Sequence, residues 1–170
     1  MTDANIEHRH TIAILVDNEP GVLARVIGLF SGRGYNIDSL TVARVDRSNN
    51  LSRINVVTVG TEMIIAQIKA QLERVVPVHT VVDLTDDGPS VERELALVKV
   101  GSSGDDRIEA LRIADIFRAR VVDSTAKSFV FEVTGNPDKI RAFIELMAPI
   151  GLLEVSRTGV VAIARGIEAM

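Results

Sequence analysis

The chain has 170 residues, 46% of them hydrophobic and 4% aromatic, with no tryptophan or cysteine and a net charge of −4. This length suffices for one medium domain or two small ones, and no apolar run approaches the roughly 18 residues of a membrane-spanning helix. The missing cysteines exclude a disulfide scaffold, thiol catalysis and cysteine-ligated metal, while the acidic balance and the few aromatic rings argue against nucleic-acid binding.

The first predicted elements are a tail, a strand and a helix. Residues 1–9 are polar and are expected to form a flexible tail. They lack the basic and apolar regions of a secretion signal, so a cytoplasmic location is expected. Residues 10–16 are rich in Ile and Val and predict a strand. Apolar residues at helical spacing from Val22 to Phe30 predict a helix, which the glycines at positions 32 and 34 end.

The turn at residues 17–23 (DNEPGVL) is a short connection between this strand and this helix. Pro20 is expected at the first helical position, where its missing N–H costs nothing, and Gly21 lets a ligand approach the backbone closely. The resulting helix N-terminus has free N–H groups and a partial positive charge, which can hold a small carboxylate. A turn that merely caps its helix is the commoner case, so both interpretations stay open.

The remaining elements of the first half complete a βαββαβ order. Strands are predicted at residues 36–45, 51–59 and 76–84, with a helix from about 60 to 72 before the last of them. This order predicts an α+β, ferredoxin-like fold, in which two helices cover one face of a four-stranded antiparallel sheet. Nothing local covers the other face, so a partner surface is expected there. The third strand lacks the aromatic residues of an RNA-recognition motif, which excludes that class.

A polar stretch at residues 85–90 is the clearest linker, after which the pattern restarts. Residues 91–170 predict a strand, a helix, two strands, a second helix and two short strands. Asn136 is expected to cap the second of these helices, with Pro137 at its first position. The sequence therefore predicts two ferredoxin-like units, at residues 10–84 and 91–170.

No constellation for catalysis or metal binding emerges from the sequence. The histidines are His8, His10 and His79, and no carboxylate cluster stands at ligand spacing from them, so ordinary surface or core histidines are expected. The acidic pairs at 86–87 and 105–106 are expected to be solvated turn residues. We therefore predict no catalytic residue and no metal site on this chain.

Asn36 and Ile37 follow the first predicted helix at its other end. If two copies associate through their sheets or helices, the Asn18 turn of one copy can face Asn36 and Ile37 of the other. The turn N–H groups and the Asn18 amide would then receive the carboxylate of a free amino acid, and Asn36 would accept from its ammonium group. Val22, Leu23 and Ile37 would line an apolar slot for its side chain.

Residues 17–31 (DNEPGVLARVIGLFS) and 33–42 (RGYNIDSLTV) resemble the regulatory, or small, subunits of acetolactate synthase, also called acetohydroxyacid synthase. Further family-like stretches lie at residues 51–53, 91–95 and 98–100 and at Gly159-Val160. The resemblance covers nearly the whole chain apart from its tail. It identifies the first predicted unit as an ACT domain.

The resemblance implies a regulatory function. An ACT domain of this family dimerises and binds a branched-chain amino acid, chiefly valine and otherwise leucine or isoleucine, at the dimer interface. The chain would bind and activate the catalytic large subunit and confer valine feedback inhibition. The implied effector pocket contains Asn18, Gly21, Val22 and Leu23 from one copy, and Asn36 and Ile37 from the other.

The resemblance also implies where the chemistry takes place. The condensation of pyruvate to 2-acetolactate, with thiamine diphosphate, Mg²⁺ and FAD, is expected on the large subunit, and no cofactor is expected on this chain. One alternative is a free-standing ACT-type amino-acid sensor that acts on another partner, although no helix-turn-helix segment or basic patch supports it. An autonomous enzyme is a third reading, and it would require turnover by the isolated chain.

Overall fold

The computed structural model describes residues 6–170. Its first six elements are β1 (His8–Asp17), α1 (Val22–Ser31), β2 (Ser39–Asp46), β3 (Leu51–Gly60), α2 (Glu62–Leu72) and β4 (Val78–Asp83). The strands form an antiparallel sheet in the order β2-β3-β1-β4. The predicted ferredoxin-like fold of this half is confirmed. No helix among the described residues is long and apolar enough to cross a membrane.

The second half repeats the same order of elements. They are β5 (Ser90–Gly101), α3 (Gly104–Ile116), β6 (Arg120–Ser124), β7 (Ser128–Gly135), α4 (Pro137–Gly151) and β8 (Leu152–Arg157), followed by β9 (Val161–Ala164). The sheet runs β6-β7-β5-β8, as a second ferredoxin-like unit requires. The predicted cap of α4 is also confirmed, because Asn136 Oδ1 accepts from the Lys139 N–H at 2.9 Å and Pro137 opens the helix.

Alternation along the strands decides which face of each sheet becomes the core. In the first unit Ile12, Ile14 and Val16 are at most 2% exposed and pack with the α1 residue Phe30. The intervening residue Ala13 points to the opposite face. The core of the second unit is formed in the same way beneath α3 and α4. Its largest buried side chains include Phe131 and Phe143.

Compact packing divides the chain slightly differently from the predicted domains. Among the described residues, one unit comprises those up to Val91 together with Val160–Met170, and the other comprises Glu92–Gly159. The first boundary falls close to the linker predicted at residues 85–90. Residues 160–170, which the sequence pattern assigns to the second domain, instead pack with the first unit.

This final segment covers part of the sheet face that α1 and α2 leave free. Ala162 packs there with Ala13 and Leu84. Arg53 of β3 donates to the Ala162 carbonyl oxygen at 2.8 Å, and burial lowers the pKa of its guanidinium group below the ordinary value. As expected, no neighbouring element covers this face, but part of it is covered by residues 160–170 of the same chain and not by a partner surface. The cover comes from a segment about 80 residues farther along than the end of β4, and local patterns cannot reveal it.

Two predicted element boundaries move in ways that matter for function. β1 begins at His8, so the tail prediction is wrong for residues 8 and 9, and residues 1–5 lie outside the described residues. β2 begins at Ser39, because pairing with β3 starts where the Asp38 N–H donates to the Val57 carbonyl oxygen at 2.8 Å. Asn36 and Ile37 therefore lie in the connection after α1 and not in a strand.

Candidate functional site

The turn between β1 and α1 begins the helix later than predicted. α1 starts at Val22, with Gly21 as its N-cap residue at a φ of +87°. The predicted place of Pro20 at the first helical position is therefore wrong, because the left-handed Gly21 separates it from the helix. A Cβ added at Gly21 would meet no heavy atom within 4 Å, so the space beside its Cα is open.

The first turn of α1 leaves backbone donors free. The helix has no side-chain cap and no acidic residue in its first turn. Among the described residues, the N–H groups of Gly21, Leu23 and Ala24 have no acceptor, whereas the Asn18 N–H donates to the Asn50 carbonyl oxygen at 2.7 Å. Free N–H groups at a helix N-terminus carry partial positive charge. The turn therefore offers an anion the donors that a capping side chain would otherwise occupy.

Asn18 belongs to the same turn, three residues before Gly21. Its Oδ1 accepts from the Ser52 hydroxyl at 3.0 Å, and its main-chain carbonyl accepts from Asn50 Nδ2 at 3.3 Å. In the part of the chain that the structure describes, Asn18 Nδ2 has no hydrogen-bond partner. The amide thus adds side-chain donors to the backbone donors of the turn.

The two predicted apolar residues of the turn differ in exposure. Leu23 is 37% exposed, whereas Val22 is 3% exposed and belongs to the core beneath the helix. Leu23 is therefore the residue of this pair whose side chain is accessible at the surface. Val22 contributes its backbone and the packing that fixes the start of α1.

The other end of α1 closes with a left-handed glycine, as predicted. Gly34 has a φ of +72°, and its N–H donates to the Ser31 carbonyl oxygen at 3.3 Å. The Tyr35 N–H reaches back to the Phe30 carbonyl oxygen at 3.0 Å, and the two rings pack edge to face. These two hydrogen bonds form a Schellman motif, which fixes the path of the chain into residues 36 and 37.

Asn36 and Ile37 occupy this fixed connection. Asn36 is exposed, its Nδ2 donates to Asp38 Oδ1, and its carbonyl oxygen accepts from the Thr58 hydroxyl at 2.6 Å. Ile37 is half-buried against the core of the first unit. Both residues therefore have defined positions, with Asn36 at the surface.

A single copy does not bring the two halves of the predicted pocket together. Asn18 precedes α1 and Asn36 follows it, and the ten residues of this helix span about 15 Å. An amino acid that contacts both groups therefore needs a second copy to supply one of them.

Sequence reasoning missed the partners that hold the turn. Ser52 lies on β3 opposite Val16 of β1, and this pairing brings its hydroxyl to Asn18. On the other flank, His79 Nε2 lies 2.7 Å from Oδ1 of Asp17, the last residue of β1. No local motif indicates either contact. Only the strand register, once known, places Ser52 and His79 beside the turn.

A second cluster lies near the other end of β1. Nδ1 of His10 is 2.9 Å from Asp83 Oδ2 and 3.6 Å from Asp86 Oδ2, although the sequence analysis expects no such cluster. These side-chain types can hold a metal ion. However, a histidine ligand normally donates its second N–H, and among the described residues Nε2 of His10 has no partner. An ordinary hydrogen bond between His10 and the buried Asp83 accounts for the arrangement.

Comparison with known protein families covers both halves of the chain. The model of the AHAS small subunit-like ACT domain matches residues 12–80, and the model of the small subunit of acetolactate synthase matches residues 93–166. The chain belongs to the family of acetolactate synthase small subunits. The resemblance of residues 17–31 and 33–42 to this family is thereby confirmed.

Individual relatives are similar to this chain along nearly its whole length. A probable acetolactate synthase small subunit of Archaeoglobus fulgidus is 48% identical over 93% of this chain and 98% of its own length. The isozyme 3 small subunit of Escherichia coli is 43% identical over 95% of this chain and 99% of its own. The crystal structure of the small subunit from Thermotoga maritima has a TM-score of 0.83 and 35% identity, covering 95% of this chain and 99% of that one.

Membership of this family decides the general role of the chain. It is an acetolactate synthase small subunit, a regulatory chain without a catalytic site of its own, while the reaction lies in the large subunit. We therefore assign no catalytic role to the β1–α1 turn.

Proposed function

We propose that this chain binds and activates the catalytic large subunit of acetolactate synthase and makes it subject to feedback inhibition by valine, so that it controls branched-chain amino acid biosynthesis. The observation that supports the proposal is the uncapped N-terminus of α1, preceded by a turn in which Asn18 Nδ2 is free, in a chain of the small-subunit family. Both kinds of donor suit the carboxylate of an amino acid.

The effector site is formed by two copies of the chain. In one copy, the ligand's carboxylate and part of its side chain contact Asn18, Gly21 and Leu23. In the other copy, its ammonium group and the remainder of its side chain contact Asn36 and Ile37. The length of α1 supports this division, because the two groups lie at opposite ends of one helix.

The dimer forms through the first unit. β2 is one of the two edge strands of its sheet, and its Val42 and Val45 are 44% and 55% exposed. An edge strand with unpaired backbone groups and exposed apolar side chains favours association with another copy. The partner copy would then complete each of two symmetric effector sites.

The regulatory mechanism is thermodynamic linkage. Valine binds one arrangement of the dimer better than another, and this preference shifts the equilibrium of the attached large subunit towards a less active state. A coupling of about 1–3 kcal/mol would be typical. Thiamine diphosphate, Mg²⁺ and FAD act on the large subunit in the cytoplasm, where pyruvate is condensed to 2-acetolactate, and this chain holds none of them.

Reconstitution with the large subunit tests this function. Acetolactate formation is measured for the large subunit alone, with this chain, and with this chain plus valine, leucine or isoleucine. We expect activation by the chain and strongest inhibition by valine. Calorimetric titration of the three amino acids gives the order of affinities. Failure of the two subunits to associate in a pull-down would overturn the proposal and would favour the free-standing amino-acid sensor.

A further inference from the structure

The orientation of the Asn18 amide decides what the turn offers to a ligand. An amide has donors on Nδ2 and an acceptor at Oδ1, and a half-turn about the last side-chain bond exchanges them. With Nδ2 outward the group attracts a carboxylate. With Oδ1 outward the amide oxygen faces the oxygens of the carboxylate and repels them. Effector binding through Asn18 therefore requires something that selects one orientation.

Ser52 meets this requirement. It is 4% exposed on β3, and its hydroxyl donates to Asn18 Oδ1 at 3.0 Å. In the opposite orientation Nδ2 would donate to the Ser52 oxygen, but the hydroxyl hydrogen would lose Asn18 Oδ1, its acceptor in this structure. A buried donor without an acceptor is costly, so the hydroxyl favours the orientation in which Nδ2 points away from Ser52.

The backbone of the turn is held by the same hairpin. Asn50 accepts from the Asn18 N–H at 2.7 Å through its carbonyl oxygen, and its side chain donates to the Asn18 carbonyl oxygen at 3.3 Å. Arg44 in turn donates to Asn50 Oδ1 at 2.8 Å. The main chain at Asn18 is therefore fixed independently of Ser52. Loss of the serine hydroxyl would free the amide to rotate without displacing the turn.

We propose that Ser52 is a positioning residue of the effector site, which holds the Asn18 amide with Nδ2 directed at the carboxylate of the bound amino acid. The inference rests on the proposed function. Ser52 itself does not touch the ligand. It acts by selecting the orientation of the group that does.

The test compares valine with valinamide in the reconstituted holoenzyme. Ser52→Ala should weaken inhibition and calorimetric binding by valine about 3- to 10-fold, the amount expected for one hydrogen bond. Valinamide carries both a donor and an acceptor in place of the carboxylate, so it can match either orientation of Asn18. Its weak binding should change less than about 2-fold by the same reasoning. A purely structural defect would weaken both ligands equally.

Three further variants complete the test. Ser52→Thr keeps the hydroxyl and should restore valine binding. In an Asn18→Ala background, Ser52→Ala should have no further effect, because the group on which it acts is gone. Ser102→Ala is the matched control, since Ser102 is also a buried serine, lies in the other unit, and has a hydroxyl without a partner among the described residues. It should leave valine binding unchanged.

The outcomes separate this inference from the function on which it rests. A wild-type holoenzyme that responds to none of the three branched-chain amino acids overturns both. A responsive wild type in which Ser52→Ala binds valine normally overturns the inference alone. The inference is also overturned if Ser52→Ala weakens the binding of valine and of valinamide to the same degree. It is overturned as well if Ser52→Ala still weakens valine binding in the Asn18→Ala background.

Discussion

The two βαββαβ units begin their first helices in different electrostatic settings. α1 and α3 occupy the same place in the two units, and neither has a side-chain cap. α3 carries Asp105 and Asp106 in its first turn, whereas α1 has no acidic residue there. The second helices, α2 and α4, are both capped, by Thr61 and Asn136. The fold is repeated, but the charge at the start of the first helix is not.

This difference shows how a binding site can be confined to one of two similar units. The aspartates of α3 satisfy the positive end of their own helix, and they repel any external carboxylate. α1 has no acidic residue in its first turn, and the preceding turn carries Asn18, whose Nδ2 has no partner among the described residues. The proposed site therefore depends on a few side chains of the first unit and not on the fold.

The largest effect is expected when a carboxylate is placed at the N-cap of α1, because this removes the electrostatic difference between α1 and α3. Gly21→Asp projects a negative charge into the open space beside the free N–H groups. Repulsion between two carboxylates about 4 Å apart amounts to several kcal/mol at an intermediate dielectric, so affinity for valine should fall at least about 100-fold. Acetolactate synthesis by the holoenzyme should lose valine inhibition and keep its activation.

The matched control for this variant is Gly21→Asn. Asparagine has the size of aspartate and tolerates the left-handed backbone at this position equally well, but it carries no charge. Its valine affinity should lie between those of the wild type and Gly21→Asp. Equal loss in both variants would show that shape, and not charge, excludes the ligand, and would contradict the assignment of the carboxylate to this turn.

A milder change makes α1 resemble α3 directly. Ala24 is the third residue of α1, the position that Asp106 occupies in α3. Ala24→Asp should stabilise the chain by about 0.3–1 kcal/mol through the helix dipole, and it should weaken valine binding about 10-fold by competing for the same donors. Chemical denaturation and calorimetry measure the two effects. If stability and valine affinity both rose or both fell, the comparison of α1 with α3 would be contradicted. Ala24→Asn serves as the uncharged control.

The repeated fold could be predicted from the sequence because its signals are local. The apolar spacing of α1, the cap at Asn136 and the glycine at position 34 each act within a few residues, and each is found as expected. The placement of Pro20 failed because the position of one left-handed glycine decides where the helix starts. That choice depends on backbone geometry and not on residue type alone.

The contacts that escaped prediction depend on long-range pairing. Ser52 reaches Asn18 across 34 positions, and His10 meets Asp83 across 73. Ala162 covers the sheet at Ala13 from the far end of the chain. Each contact follows from strand register or from packing between distant segments. A sequence pattern limited to neighbouring residues carries no information about them.

The capped helices provide a prediction of smaller effect. Thr61 accepts from the Ile64 N–H, and Asn136 accepts from the Lys139 N–H. Thr61→Ala and Asn136→Ala should each lower the free energy of unfolding by about 1 kcal/mol, because each leaves a backbone donor without its cap. Urea denaturation at fixed protein concentration measures this loss. Neither variant should alter valine affinity, and a change in affinity for Asn136→Ala would argue against a site confined to the first unit.

The smallest effect is expected at the aspartates of α3. Asp105→Asn and Asp106→Asn each remove a charge that complements the helix dipole, so each should cost about 0.3–1 kcal/mol at low ionic strength and less as salt screens the interaction. Urea denaturation at low and high salt distinguishes this loss from one caused by packing, which salt would not reduce. In calorimetry the double variant should still bind one valine per chain and no second one at α3. A helix N-terminus without acidic residues is not enough to bind valine. The proposed site on the first unit also needs the Asn18 amide and the residues that a second copy of the chain supplies.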